Sequence, residues 1–97
     1  MPHPNLKKPL FDLGQTLATP GAIEALQQAG VSAASLLCRH QCGDWGDLED
    51  EDLAENKVAL NQGFRIFSSY QLTDTIRIWV ITEADRSVTT LLLPQDY

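Results

Sequence analysis

TIRIWVITEADRSVTTLLLP, residues 75–94, holds two strand-like runs separated by five residues of which three are charged. In the first run, Ile76, Ile78 and Val80 alternate with Trp79 and Ile81, so an extended chain is apolar on both faces. A strand of that kind is usually covered on both faces. Glu83-Ala84-Asp85-Arg86-Ser87 breaks the run, and Val88 resumes it until Pro94. The pattern predicts a β-hairpin with a charged tip as the spine of the fold.

Working upstream, residues 64–72 (FRIFSSYQL) predict a strand, and Thr73-Asp74-Thr75 turns it into the hairpin. Three consecutive strands on short loops make an antiparallel meander. Three helices precede it. Thr19 as cap, Pro20 at the first helical position and Gly30 as stop mark the first, with Ala22, Ile23, Ala25, Leu26 and Ala29 facing inward. Ser32 caps the second, which runs from Ala33 to about Gln41 with Leu36, Leu37 and His40 inward. The third starts from Asp47 or Asp50 and ends at Gln62 before Gly63; Leu53, Asn56 or Lys57, and Leu60 face in. Residues 11–17 offer a short edge strand, weakened by Gly14, and residues 1–10, with three prolines, an extended arm. The expectation is an α+β fold in one domain over residues 1–97: two to three N-terminal helices packed on a three- to four-stranded antiparallel β-meander.

A chain of 97 residues with 43% hydrophobic and 21% charged content is sized for one core. Its net charge of −6 argues against sequence-independent nucleic-acid binding, which needs Lys and Arg on phosphates. No apolar run reaches the roughly 18 residues of a membrane span, and no signal-peptide core follows the N-terminal lysines. The cytoplasm is therefore expected. Cys38 and Cys42 form a single pair, and His3 is the only histidine besides His40, so no zinc site and no other cofactor is expected.

Polar chemistry gathers in two places. Residues 44–55 hold seven acids and no base, which reads as a cation site, a dock for a basic partner, or an acidic first turn favoured by the helix dipole. The alternate-position spacing of a calcium-binding loop fails there. Trp45 lies between two glycine–aspartate pairs and reads as a recognition anchor or as a lid over the core. Arg39-His40 beside Asp44 and Asp47 reads as an acid–base pair or as a buried histidine satisfied by a carboxylate, with Asn56 in the same polar knot. At the hairpin tip, Glu83, Asp85 and Arg86 read as an internal Arg–carboxylate pair or as a grip on an anion or partner carboxylate. Together, Arg39, His40, Asp44, Trp45, Asp47, Asn56, Glu83, Asp85 and Arg86 form the candidate binding surface. No glycine-rich phosphate loop, Gly-x-Ser-x-Gly elbow or paired zinc motif occurs, and no catalytic residue is expected.

FDLGQTLATPGAIEAL, RHQCGDWGD and IWVITEADRSVTTLLLPQDY carry a resemblance, over residues 11–97, to a family of small bacterial proteins encoded on plasmids and other mobile elements. Its members go by "plasmid-related" or hypothetical names, and some carry a restriction-modification subunit label. The resemblance implies a mobile-element accessory protein and no catalytic residue. The leading expectation is a non-catalytic interaction module that binds a protein partner or a second copy of itself, aided by an uncovered sheet edge. The alternatives are an acidic inhibitor that imitates nucleic acid and a small toxin-like nuclease using Arg39, His40, Asp85 and Arg86. A winged helix-turn-helix would place the acids of its third helix against phosphate and is discounted.

Overall fold

The computed structural model describes residues 8–97. Of the arm expected over residues 1–10, residues 1–7 lie outside the described residues. Leu10 donates its N–H to the Gln41 carbonyl at 2.9 Å. The elements that follow are β1 (Gln15–Ala18), α1 (Pro20–Ala29), α2 (Ala33–Gln41), α3 (Asp50–Gln62), β2 (Ile66–Gln71), β3 (Arg77–Thr82) and β4 (Val88–Leu92), then a 3₁₀ turn, Pro94–Asp96.

The caps of α1 and α2 follow their sequence signals. Thr19 Oγ1 accepts from the Ala22 amide and Ser32 Oγ from that of Ser35, while Gly30 closes α1 in the left-handed conformation. For α3 the expected caps are corrected. Glu49 occupies the cap position without a side-chain bond, Asp50 is the first helical residue, and Asp47 is spent elsewhere. Ile23, expected to face inward on α1, is exposed.

The sheet order is β1-β4-β3-β2. Strands β2, β3 and β4 form the expected antiparallel meander. Strand β1 adds to its end parallel to β4, so the sheet is mixed and a strand stands ahead of the helices. The N-terminal segment enters across the hairpin tip, where Gly14 has φ 67° and any Cβ would collide with the carbonyls of Arg86 and Ser87. From there the chain runs along β4 in β4's own direction, with Gln15 N–H on the Ser87 carbonyl and Thr19 N–H on that of Leu91.

The two faces of the sheet differ. Ile66, Ser68, Tyr70, Ile78, Val80, Thr82, Thr89 and Leu91 share one face by register. Ala22, Ala25 and Leu26 of α1 and Leu36 of α2 pack there on Tyr70, Ile78, Val80 and Leu91. Ala59 of α3, with Trp45, packs on Ile66. Phe67, Ser69, Trp79, Ile81, Thr90 and Leu92 share the other face. Among the described residues, no helix joins them in a core cluster. Helices cover only the first face, but Ile81 and Leu92 on the other are buried as well, at 6% and 7% exposure.

The outer edge of β2 is sealed. Asn56 on α3 receives the Phe67 N–H at 3.1 Å and gives its amide N–H to the Phe67 carbonyl at 2.6 Å, imitating a neighbouring strand. Ser69 exchanges backbone bonds with Trp45 and Asp47, and Asp47 Oδ2 accepts the Gln71 N–H at 2.8 Å. Gly46, at φ 76°, stands where a Cβ would strike the Ser69 carbonyl and the Tyr70 ring. Every outward-facing amide of β2 thus has a partner, which answers the hazard of an open edge. The exposed edge is that of β1, where Gln15, Thr16 and Leu17 are exposed.

Candidate binding surface

Helix α2 ends by directing His40 into the sheet, where it is fully buried. Its Nδ1 lies 2.5 Å from Ser68 Oγ and its Nε2 2.9 Å from Thr82 Oγ1. Following the donors settles the ring. Thr89 gives its only hydroxyl proton to the Leu13 carbonyl at 2.7 Å, so it accepts from Thr82 at 2.6 Å. Thr82 therefore accepts from His40 Nε2–H, and Nδ1 accepts from Ser68. The chain Ser68–His40–Thr82–Thr89–Leu13 is satisfied throughout with a neutral imidazole. Burial pushes the His40 pKa down to about 3. The carboxylate partner expected from the sequence is replaced by two hydroxyls, and Asn56 belongs to the β2 edge instead of this knot.

Arg39 lies on the other side of α2's last turn. Its guanidinium bonds Asp44 at 2.7 Å, which holds it above its ordinary pKa, and sits 4.5 Å from the Tyr70 ring centroid. Tyr70 gives its hydroxyl proton to the Asp44 carbonyl at 2.7 Å, and burial raises its pKa to about 12. Asp44 and Asp47 therefore order the loop of residues 42–48 against the sheet. Trp45 takes the lid role: it packs with Phe11, Leu48, Leu53, Leu60 and Ile66, 6% exposed. Its indole N–H has no hydrogen-bond partner among the described residues.

At the hairpin tip, the expected internal Arg86–carboxylate pair is corrected. Its guanidinium donates to four backbone carbonyls: Phe64 at 2.6 Å, Ala59 and Ala84 at 3.1 Å, and Glu83 at 3.2 Å. It clamps the C-terminal end of α3, where a cation suits the helix dipole. Its backbone takes φ 62° to do so. Asp85 accepts from both the Ser87 amide and hydroxyl, which lower its pKa, and Glu83 is exposed. The nine expected residues do not converge on one site. Asp47 reaches the Gln71 end of β2, whereas Arg86 closes the Phe64 end.

The side chains that do converge were missed by sequence reasoning. On the open sheet face, Phe67 and Trp79 meet edge to face at 5.1 Å and 89°. The 3₁₀ turn carries Tyr97 back to Trp79 at 5.9 Å and 70°. With Ile81, Asn56, Asp52, Glu55 and Arg65 they line a hollow of about 280 Å³. Arg65 holds its guanidinium 5.6 Å from the Tyr97 ring centroid. A second, apolar hollow formed by Ala54, Val58 and Phe64 shares Glu55 and Arg65 with it, and Val58 and Phe64 are about half exposed. The alternation of Phe67 and Trp79 with helix-facing neighbours was visible in the sequence, but which face the helices leave open was not. A larger, polar hollow of about 570 Å³ lies toward α1, lined in part by Glu24, Gln28 and Arg77.

Among the described residues, no cluster of three or more His, Cys, Asp or Glu side chains is placed to hold a metal ion. None of their helices is long and apolar enough to cross a membrane. No protein-family model matches this chain, and neither a curated protein nor a solved structure matches it.

Proposed function

We propose that the protein is a non-catalytic interaction module that docks a basic, apolar segment of a partner protein on its open sheet face. The observation that carries this reading is the pair of hollows that share Glu55 and Arg65, one lined by Val58 and Phe64 and the other by Phe67, Trp79 and Tyr97, beside a sheet face that no described helix joins in a core cluster. Apolar surface gathered in one place and rimmed by polar groups marks an interaction site. Asp52 and Glu55 on the rim, with the net charge of −6, favour a basic partner. The four strands present a face of about 19 by 17 Å, on the order of 300 Å². A stable globular interface needs about 800 Å² per partner, so the face suits a segment better than a second copy. The mobile-element setting implied by the resemblance belongs to the same reading.

Selection from a random-peptide library on the wild type and on Trp79→Ala tests it, with solution mass measured in parallel. The expected outcome is a set of peptides rich in Lys or Arg and in large apolar residues, retained by the wild type and lost by the variant. Peptides bound equally by both proteins, or a wild-type dimer that Trp79→Ala dissolves, would overturn it.

A further inference from the structure

We infer that the hollow between Phe67, Trp79 and Tyr97 binds an alkylated ammonium group, the quaternary or methylated nitrogen of a small cation or of a modified lysine. The inference deepens the docking reading by naming the group the site holds, and it rests on that reading only for the case of a modified lysine. Three aromatic rings from β2, β3 and the C-terminal turn stand close together at steep angles, 89° between Phe67 and Trp79 and 70° between Trp79 and Tyr97. Rings so placed offer ring faces in more than one direction, and each face carries negative quadrupole density that attracts a cation. The site is wet enough to admit a ligand, since Trp79 and Phe67 are partly exposed and Tyr97 is 68% exposed.

The carboxylates make the choice of ligand sharper. Asp52 and Glu55, one turn apart on α3, line the same hollow as the rings. A purely apolar ligand would gain nothing from them, whereas a cation gains from rings and acids together. The volume, about 280 Å³, falls just below the roughly 300–1,000 Å³ of sites that enclose a whole drug-sized molecule. It suits a head group with the remainder of the ligand outside. An alkylated nitrogen is preferred over a bare ammonium because its methyl groups pack on the rings and it loses less hydration on entry.

Arg65 supplies an internal precedent. Its guanidinium lines the hollow and lies over Tyr97, so the cluster already draws a cation from its own chain. An incoming ammonium competes with Arg65 for the Tyr97 ring. Removing Arg65 should therefore improve binding, the opposite of what a merely structural arginine would do.

Isothermal calorimetry with tetramethylammonium chloride tests this directly, each variant being checked for an unchanged fold by circular dichroism. The uncharged isostere of choline, 3,3-dimethylbutan-1-ol, runs as the control. The wild type is expected to bind the cation saturably and the alcohol at least about tenfold more weakly. Trp79→Ala should abolish the heat. The double change Asp52→Asn/Glu55→Gln should weaken binding about fivefold, and Arg65→Ala should tighten it about threefold. Equal binding of cation and alcohol, or an unaltered affinity in the doubly neutralised variant, would overturn the inference. So would the absence of saturable heat in both the wild type and Arg65→Ala. Choline and a trimethyl-lysine peptide beside its unmodified form then distinguish the two sources. Tighter binding of the methylated peptide than of choline assigns the site to a modified side chain, and the reverse assigns it to a free cation. If selected peptides depend on Trp79 while tetramethylammonium gives no heat, docking stands and the cation site falls. Saturable cation binding without any Trp79-dependent peptide leaves the cation site standing and docking overturned.

Discussion

On the helix side of the sheet, His40 is enclosed, both of its ring nitrogens are bonded, and the hydroxyls that bond them are themselves satisfied. On the opposite side, Trp79 meets Phe67 and Tyr97 edge to face, and the hollow beside them opens to solvent. Strand β3 serves both surfaces, through Ile78, Val80 and Thr82 on one and Trp79 and Ile81 on the other. The polar residues that looked most chemical, His40 and Arg86 among them, are used up in holding the molecule together. The residues that looked like core, Phe67 and Trp79, are the ones left partly exposed. A histidine with both ring nitrogens bonded has no capacity left for a ligand, whereas Phe67 and Trp79 keep part of their surface in solvent.

The largest effect should come from breaking the enclosed side. His40→Leu leaves Ser68 without its acceptor and Thr82 without its donor in a space that admits no water. A loss of about 3 kcal/mol or more is expected in urea unfolding. Adding Ser68→Ala and Thr82→Val should recover part of it, because the orphaned groups go with their partner. The same site predicts a pH dependence. Its folded pKa of about 3 lies below the ordinary 6.5, so between those values the unfolded chain binds the proton and the folded one does not. Stability contributed by neutral His40 is present in full above pH 6.5 and is lost as the pH falls toward 3. From pH 6.5 to 5, before carboxylates titrate, the wild type should lose about 1–2 kcal/mol, and His40→Leu should lose far less.

Asn56→Ala comes next. It removes both bonds to the Phe67 backbone and reopens one end of the β2 edge. The expected cost is about 2 kcal/mol, with concentration-dependent light scattering as the exposed edge pairs between molecules. Arg86 at the tip tests a smaller effect. Arg86→Ala forfeits the clamp on the α3 carbonyls and keeps a side chain at φ 62°, for about 1–2 kcal/mol. Arg86→Gly loses the same bonds but relaxes the backbone, and should be milder by about 0.5–1 kcal/mol. If Gly is no better than Ala, the left-handed backbone is not strained there.

What the sequence made legible is what is local. Thr19, Ser32 and Gly30 act on amides and carbonyls within a turn of themselves, so the ends of α1 and α2 could be read directly. The β2–β3–β4 meander followed from short turns between strand-like runs. The pairing of Gln15 with Val88 joins opposite ends of the chain, and nothing in either segment marks the partner or its direction. His40 was correctly read as buried, but its partners Ser68 and Thr82 lie on strands whose register only the fold provides. The internal Arg86–carboxylate pair was misread because the acceptors of Arg86 are backbone carbonyls, which every residue has and no sequence pattern displays. Phe67 and Trp79 were invisible as a surface for a related reason. Alternation shows that a strand has two apolar faces, but the number of helices available to cover them is settled by where those helices dock.

The comparison of the two faces is sharpest between neighbours on β3. Val80 is fully buried under the helices, and Trp79 beside it points to the open side. Val80→Ala leaves a cavity that packed helices cannot close, at about 2–3 kcal/mol. Trp79→Thr removes far more atoms. Yet it forfeits mainly two ring contacts, each about 0.5–1.5 kcal/mol, since the ring it removes is itself partly exposed. Threonine's preference for strands offsets part of the loss, so a net cost near 1 kcal/mol is expected. The larger side chain should thus be the cheaper one to remove. If urea unfolding instead shows Trp79→Thr costing as much as Val80→Ala or more, the open face is a second core and its rings are committed to the fold. A small cost together with loss of the Trp79-dependent ligands would assign the rings to binding, since the fold would have been shown to stand without them.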